Sequence, residues 1–315
     1  MNTKRPPGEH PISSGLEAQD PDPLTLGSAP LKGDRALLEL PFFSLEKQPR
    51  KTPLVFEEGS VQIRVEPGMA TMWDKDVLHY CASLLNEQLE RGAQAPIDRT
   101  ITFRAHDFLT VARRGTGQRS YKLFVDALTR LRSTTILTNV KAAGRRERAG
   151  FGWIDNFQII EQADCRGRMR MAAVAITLNN WLFRALVEER RVLSINSAYF
   201  SLRKSLERRL YELARKHCGN QPKWTIGIGR LARKCGSSQP LRAFRADLQA
   251  IINSDSLPDY KFGLAFEPSG KKETAATFGE EAGRRYKTID GIVVVFEPRA
   301  VISVGCESDR NIADI

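Results

Sequence analysis

The feature that most constrains this fold is a pattern that occurs twice: a short helix, a turn, an amphipathic helix with basic outer residues, and a strand. In its first occurrence residues 115–139 read GTGQRSYKLFVDALTRLRSTTILTN. Tyr121, Phe124, Val125, Leu128 and Leu131 recur at helical spacing and make one apolar face. Gln118, Arg119 and Lys122 stand at the helix start, away from most of that face. Thr134, Thr135, Ile136 and Leu137 then favour a strand, because β-branched side chains fit a pleated surface. A short helix over 105–113 precedes the turn and ends in Arg113 and Arg114.

The second occurrence begins with IGRLARKC, a short helix over 228–235, and a Gly236-Ser237-Ser238 turn. A second helix starts at Ser238 or Gln239 and carries Pro240 in its first turn, where the missing N–H costs nothing. Its Leu241, Phe244, Leu248 and Ile251 face inward, while Arg242, Arg245 and Gln249 share an outer face. Strands over 260–266 and 291–296 flank a polar loop with Lys271 and Lys272. The halves share few letters, so the repeat is one of structure type.

A helix packed by one face, with donors on its free first turn, is what a DNA recognition helix needs, and a following strand makes a winged helix-turn-helix. The fold class is therefore α+β, with two tandem winged helix-turn-helix domains after a disordered tail. The tail is placed at 1–35, where prolines 6, 7, 11, 21, 23 and 30 stand among Ser, Gly and Asp. Domain 1 is expected over 36–192 and domain 2 over 193–315. Order should begin near Leu37, with strand character in LLELPFFSLEK.

Between these landmarks a helix is expected over 74–91, with Asp74 and Asp76 suiting its positive end and Gly92 its stop. A strand is expected over 100–103. Gly144 and Gly150 bracket Arg145, Arg146 and Arg148, which reads as the basic tip of a hairpin wing leading into the aromatic strand FGWIDNFQII. A strand over 169–177 and a helix over 178–189 close the domain. Asn196 or Ser197 then caps a long helix with Tyr199, Leu202, Leu206, Leu210 and Leu213 buried, and Arg203, Lys204, Arg208 and Arg209 outside.

The charge supports the same partner. The chain carries a formal net charge of +11 over 315 residues. The tail holds Lys4, Arg5, Lys32 and Arg35 against Glu9, Glu17, Asp20, Asp22 and Asp34, so the excess belongs to the folded body, which suits double-stranded DNA. Base edges in the major groove are read by forked donors, so Arg119 and Arg242 are the first choices for guanine contact. Gln118, Ser120, Ser237, Ser238 and Arg245 lie at or near the same helix starts. Lys122, Arg113, Arg114, Arg145, Arg146 and Arg148 read as phosphate contacts, and Lys271 and Lys272 as those of the second wing. Taken singly, such residues are ordinarily solvated charges; their recurrence at corresponding places carries the reading.

Catalytic chemistry finds little support. His10, His79, His106 and His217 are isolated, with no pair spaced for a metal, and His79 and His106 read as helix surface or core. There is no GxxxxGK[ST] and no GxSxG. The five cysteines stand far apart without a CxxC, against a zinc ribbon or disulfide framework and in keeping with a reducing cytoplasm. No apolar run reaches the roughly 20 residues that span a bilayer. The expectation is a cytoplasmic protein that is no enzyme, needs no cofactor or metal, and has no membrane partner.

Four segments together resemble the plasmid replication initiator protein A family: LPFFSLEKQPRKTPLVF (40–56), SYKLFVDALTRLRSTTI (120–136), FGWIDNFQII (151–160) and LERRLYELARKHCG (206–219). The resemblance runs over about 40–216 and is less distinct after Gly219. It implies tandem winged helices that bind direct repeats at a plasmid origin, help open the duplex and bring in host replication proteins such as initiator and helicase. It also implies a homodimer that represses its own gene, in equilibrium with a monomer that starts replication. The rival reading is a winged-helix transcriptional regulator without a replication role; an origin nuclease or primase is a third.

Overall fold

The computed structural model describes residues 23–48, 50–92, 96–140, 148–163, 167, 169–219, 221–266 and 291–299. In chain order the elements begin with β1 (Leu31–Asp34), α1 (Arg35–Glu39), β2 (Leu54–Glu58), β3 (Val61–Val65), α2 (Lys75–Glu90), β4 (Thr100–Phe103), α3 (Ala105–Val111) and α4 (Gln118–Ser133). They continue with β5 (Ile136–Thr138), β6 (Ala149–Phe151), β7 (Ile154–Ala163), β8 (Met169–Leu178), α5 (Asn180–Val187) and β9 (Val192–Ile195). A 3-10 turn (Ser197–Ser201) leads into α6 (Ser205–Cys218), β10 (Trp224–Gly227), α7 (Ile228–Cys235), α8 (Leu241–Ser254), β11 (Tyr260–Phe266) and β12 (Ile292–Pro298).

Two winged helix-turn-helix units stand out by sheet order. In the first, β4 follows α2 and pairs with β8, which pairs with β7, giving the order β4-β8-β7. In the second, β10 follows α6 and the order is β10-β12-β11. Each sheet thus places the last strand of its unit in the centre, between the strand before the helix-turn-helix and the strand after it. The helices pack on these sheets by apolar faces. Phe124, Ala127, Leu128 and Leu131 of α4 are buried, as are Phe244, Leu248 and Ile251 of α8. Phe108 packs on Phe124 with ring centres 4.8 Å apart and the rings tilted by 34°.

Several expectations need correction. Order begins earlier than Leu37. Leu26 and Leu31 are buried, the Leu24 N–H donates to the Thr102 carbonyl, and β1 pairs with β9 from Leu31↔Ile195 to Asp34↔Val192. Pro23, Pro30 and the small polar residues of 23–35 look like tail composition, but the few apolar side chains among them find long-range partners. Residues 1–22 lie outside the described residues. The stretch expected as a strand after Leu37 is instead α1, with the Asp34 side chain capping it by accepting from the Leu37 N–H at 3.0 Å. Phe42 and Phe43 then pack in the core against Trp153.

The long helix expected from Asn196 is broken at Leu202. Asn196 caps only the 3-10 turn, and α6 starts afresh at Ser205. On α6, Arg208 and Arg209 are 2% exposed rather than outside. Leu206, Leu210 and Leu213 alone would make an amphipathic stripe, but α6 is enclosed on more than one side and its arginines turn inward to carboxylates.

The carboxylate facing Arg208 comes from the start of α2, where Asp74, Lys75 and Asp76 are all buried, and the one facing Arg209 is Glu212 of α6 itself. Asp74 holds Arg130 of α4 by two bonds of 2.8 Å. Asp76 accepts from Arg208 and, at 2.9 Å, from Arg114. Lys75 donates to Glu212 at 2.6 Å, and Glu212 also accepts from Arg209 at 3.1 Å and the Tyr199 hydroxyl at 2.8 Å. The acidic residues therefore serve as paired core groups, beyond any favourable placement at a helix end. Burial works to raise the Glu212 pKa, but Lys75, the bond from His79 and Arg209 outweigh it and bring it down to about 2. Removing one partner of such a set typically costs about 3–5 kcal/mol.

Candidate nucleic-acid interface

The two helix-turn-helix turns close in the same way. After α3, Arg113 adopts a left-handed conformation (φ 52°) and the Arg114 N–H donates to the Leu109 carbonyl at 2.8 Å. After α7, Gly236 does the same (φ 70°) and the Ser237 N–H donates to the Ala232 carbonyl at 3.0 Å. Both are bonds of the Schellman type, which satisfy carbonyls left over at a helix end. The second helices repeat as well: Phe124, Leu128 and Leu131 have the spacing of Phe244, Leu248 and Ile251. Superposing these buried faces puts Lys122, rather than Arg119, in register with Arg242, since each stands two residues before its phenylalanine.

The sequence-expected residues separate into three groups. Gln118, Arg119 and Lys122 on α4 and Arg242 and Arg245 on α8 are exposed, on the face opposite the core, and Ser120 is half-buried. Ser237 is half-buried in the second turn, and the Ser238 hydroxyl donates to Glu46 at 3.3 Å. Arg113 is exposed and donates to the Ser201 hydroxyl at 2.7 Å. Arg114 departs from expectation. Its guanidinium bonds the Trp73 carbonyl at 2.5 Å and Asp76 at 2.9 Å and lies over the Phe108 ring, so it is a structural cation of the first turn. Arg145, Arg146, Lys271 and Lys272 lie outside the described residues.

Arg148 shows why the first wing was misplaced. It precedes β6, and β6 pairs with β5, but β5 pairs on its other side with β3, from Ile63↔Thr138 to Val65↔Ile136. The hairpin therefore extends a separate four-stranded sheet, β2-β3-β5-β6. Arg148 lies near Leu137 and Arg64 on the outer side of that sheet. The wing belongs to the ten-residue strands β7 and β8, whose register runs from Ile154↔Leu178 to Ala163↔Met169. Gln162 and Arg170, paired near their far ends, are exposed, as is Gln158 in the middle of β7. Sequence reasoning missed this wing. The available signal was two long strand-like runs on either side of Gly167, which takes φ 73°.

The second helix-turn-helix is docked on the first half of the chain. Gly236 packs against Leu54 and Pro41, and its carbonyl accepts from Arg50 at 3.4 Å. Lys234, 4% exposed, lies 2.9 Å from Glu58 and 3.6 Å from Glu39, and Arg230 lies 2.6 Å from Glu58. The Glu58 carboxyl is pushed up by its partial burial and more strongly down by Lys234 and Arg230, ending below the usual range. His217 stacks on Trp224 with ring centres 4.4 Å apart, and burial lowers its pKa to about 4 against the pull of Glu39. Among the described residues no three His, Cys, Asp or Glu side chains come together to hold a metal ion, and no helix is long and apolar enough to cross a membrane.

Comparison with known proteins fits this arrangement. The family model described as replication initiator protein A matches residues 32–262. A protein bearing the name of a replication protein in Wigglesworthia glossinidia brevipalpis is 35% identical over 227 residues, covering 71% of this chain and 81% of that one. Among solved structures, domains 2 and 3 of RctB superpose with a TM-score of 0.57 at 10% identity, over 85% of this chain and 98% of theirs. The Pi initiator protein, solved in complex with iteron DNA, gives a TM-score of 0.50 at 13% identity, over 74% and 93%. At such identities these two likenesses speak for the fold.

Proposed function

As the chain belongs to the replication initiator protein A family, we propose that it binds repeated double-stranded DNA sequences at an origin and starts replication there. One observation carries the DNA-binding part. Two winged helix-turn-helix units each present the start of a second helix with exposed cations, Lys122 in one and Arg242 in the other, at the same place relative to the core. A neighbour of the same fold was solved with iteron DNA, which supports the repeat as target. In this reading α4 and α8 enter successive major grooves, where forked donors read guanine edges and lysines hold phosphates. The β7–β8 wing grips the backbone beside α4.

Downstream, the bound protein helps open the origin of a plasmid-type replicon in the cytoplasm and recruits host initiator and helicase. A dimeric form represses its gene. The protein acts by binding alone, without a catalytic step or cofactor. Direct tests exist for each part. Duplexes selected by the protein from a random library should show, on footprinting, two protected major-groove segments on one face, about 10 base pairs apart. A single protected groove would defeat the two-part reading. Supplying the protein in trans should maintain a replicon deleted for its gene, and a regulator would not do so. Supercoiled origin DNA with magnesium should remain un-nicked.

A further inference from the structure

Arg208 and Arg209 are neighbours on α6, and each reaches a different helix-turn-helix turn. Arg208 bonds Asp76, and the other oxygen of Asp76 accepts from Arg114, whose own N–H closes the first turn. Arg208 is fixed further by the carbonyl of Leu202 at 3.0 Å and by stacking over Trp73 at 4.0 Å. Arg209 sends two donors to the Lys234 carbonyl, at 3.1 and 2.8 Å, within the last turn of α7 that leads into the second helix-turn-helix turn. Its remaining donors take the carbonyls of Leu38 at 2.9 Å and Glu39 at 2.7 Å, at the end of α1, while Glu212 balances its charge. One guanidinium therefore joins the end of α1 to the end of α7. Both arginines are buried, so neither touches DNA.

We propose that Arg208 and Arg209 are positioning residues that fix the distance and rotation between the two recognition helices, and so set which half-site spacing the protein accepts. The proposal rests on the reading that both α4 and α8 bind DNA. A fork of planar donors holds two carbonyl groups at a set angle, which a lysine ammonium does not. Two binding modules held rigidly gain most when the second site lies in register, and lose that gain when it does not.

The test uses the full chain and the duplex it selects from a random library, with and without about five base pairs inserted between the two protected segments, half a helical turn. The parent should lose on the order of 100-fold in affinity on insertion, because the second contact is forfeited. Arg209→Lys should compress that ratio to about 10-fold or less, chiefly by weakening the uninserted complex. A ratio as large as the parent's in Arg209→Lys overturns the proposal. Should that variant not fold, Arg114→Lys, at the half-exposed end of the Arg208–Asp76–Arg114 set that ties α6 to the first turn, carries the test through that link with the same criteria. Leu186→Ala on α5, which weakens the core without touching these links or either recognition helix, should keep the parent's ratio; if it too compresses, the ratio reports stability and the proposal falls. Should the parent itself ignore the insertion, the two-reader premise fails, and that outcome is distinct from the others.

Discussion

A side chain on Gly236 would place its Cβ 2.9 Å from Cδ1 of Leu54, so the turn of the second helix-turn-helix is fitted directly against the first half of the chain. The left-handed conformation of Gly236 (φ 70°) adds an independent demand for glycine. Together they tie the choice of one residue to both the local turn and the long-range contact.

Gly236→Ala should therefore destabilise the protein by about 2–4 kcal/mol, from backbone strain and overpacking combined. Chemical denaturation measures it. Leu54→Ala in the same chain should recover part of the loss by making room for the methyl group. Absence of any recovery would show that strain alone is responsible.

Lys122→Ala and Arg242→Ala should each weaken binding to the selected duplex by about 1–3 kcal/mol in a gel-shift titration. Arg114→Ala should behave differently. It leaves Asp76 short of one partner, so the melting temperature should drop while the dependence of affinity on salt stays that of the parent. A flatter salt slope in Arg114→Ala would return that residue to the phosphate contacts.

Glu212→Gln should cost about 3–5 kcal/mol, since Lys75 and Arg209 would be left buried beside a neutral amide. Urea unfolding at neutral pH reads the loss. A variant as stable as the parent would mean that the cluster contributes nothing net.

Acid should destabilise the protein in two stages. His217, with its folded pKa lowered to about 4 from 6.5, is neutral in the fold but protonated in the unfolded chain between these values, so stability falls as pH drops through that window. Glu212, lowered to about 2 from 4.5, contributes stability that is complete above 4.5 and is lost as pH falls toward 2. Melting temperatures followed from pH 7 to 4.5 should decline in the parent and decline less in His217→Phe, which keeps the stack on Trp224. Parallel curves would remove His217 from the first stage.

Much of the outline was legible in the sequence. The apolar spacing of Phe124, Leu128 and Leu131, the αL-competent Gly236 and the outward Lys122, Arg242 and Arg245 are local signals, and helices, turns and exposed faces follow from them. Helix α2 and its stop at Gly92 were legible for the same reason. The sequence by itself thus determined that two helix-turn-helix units exist and which faces of their second helices are wet. Only the tertiary structure decided the rest. Strand β5 could pair with any neighbour its three residues met, and its choice of β3 moved the wing to β7 and β8. Arg208, Arg209 and Arg114 looked like surface cations because their carboxylate partners, Asp76 and Glu212, lie far away in sequence or on another turn. A buried charge is settled by its partner, and strand order by a register between distant segments, so neither is written in local periodicity.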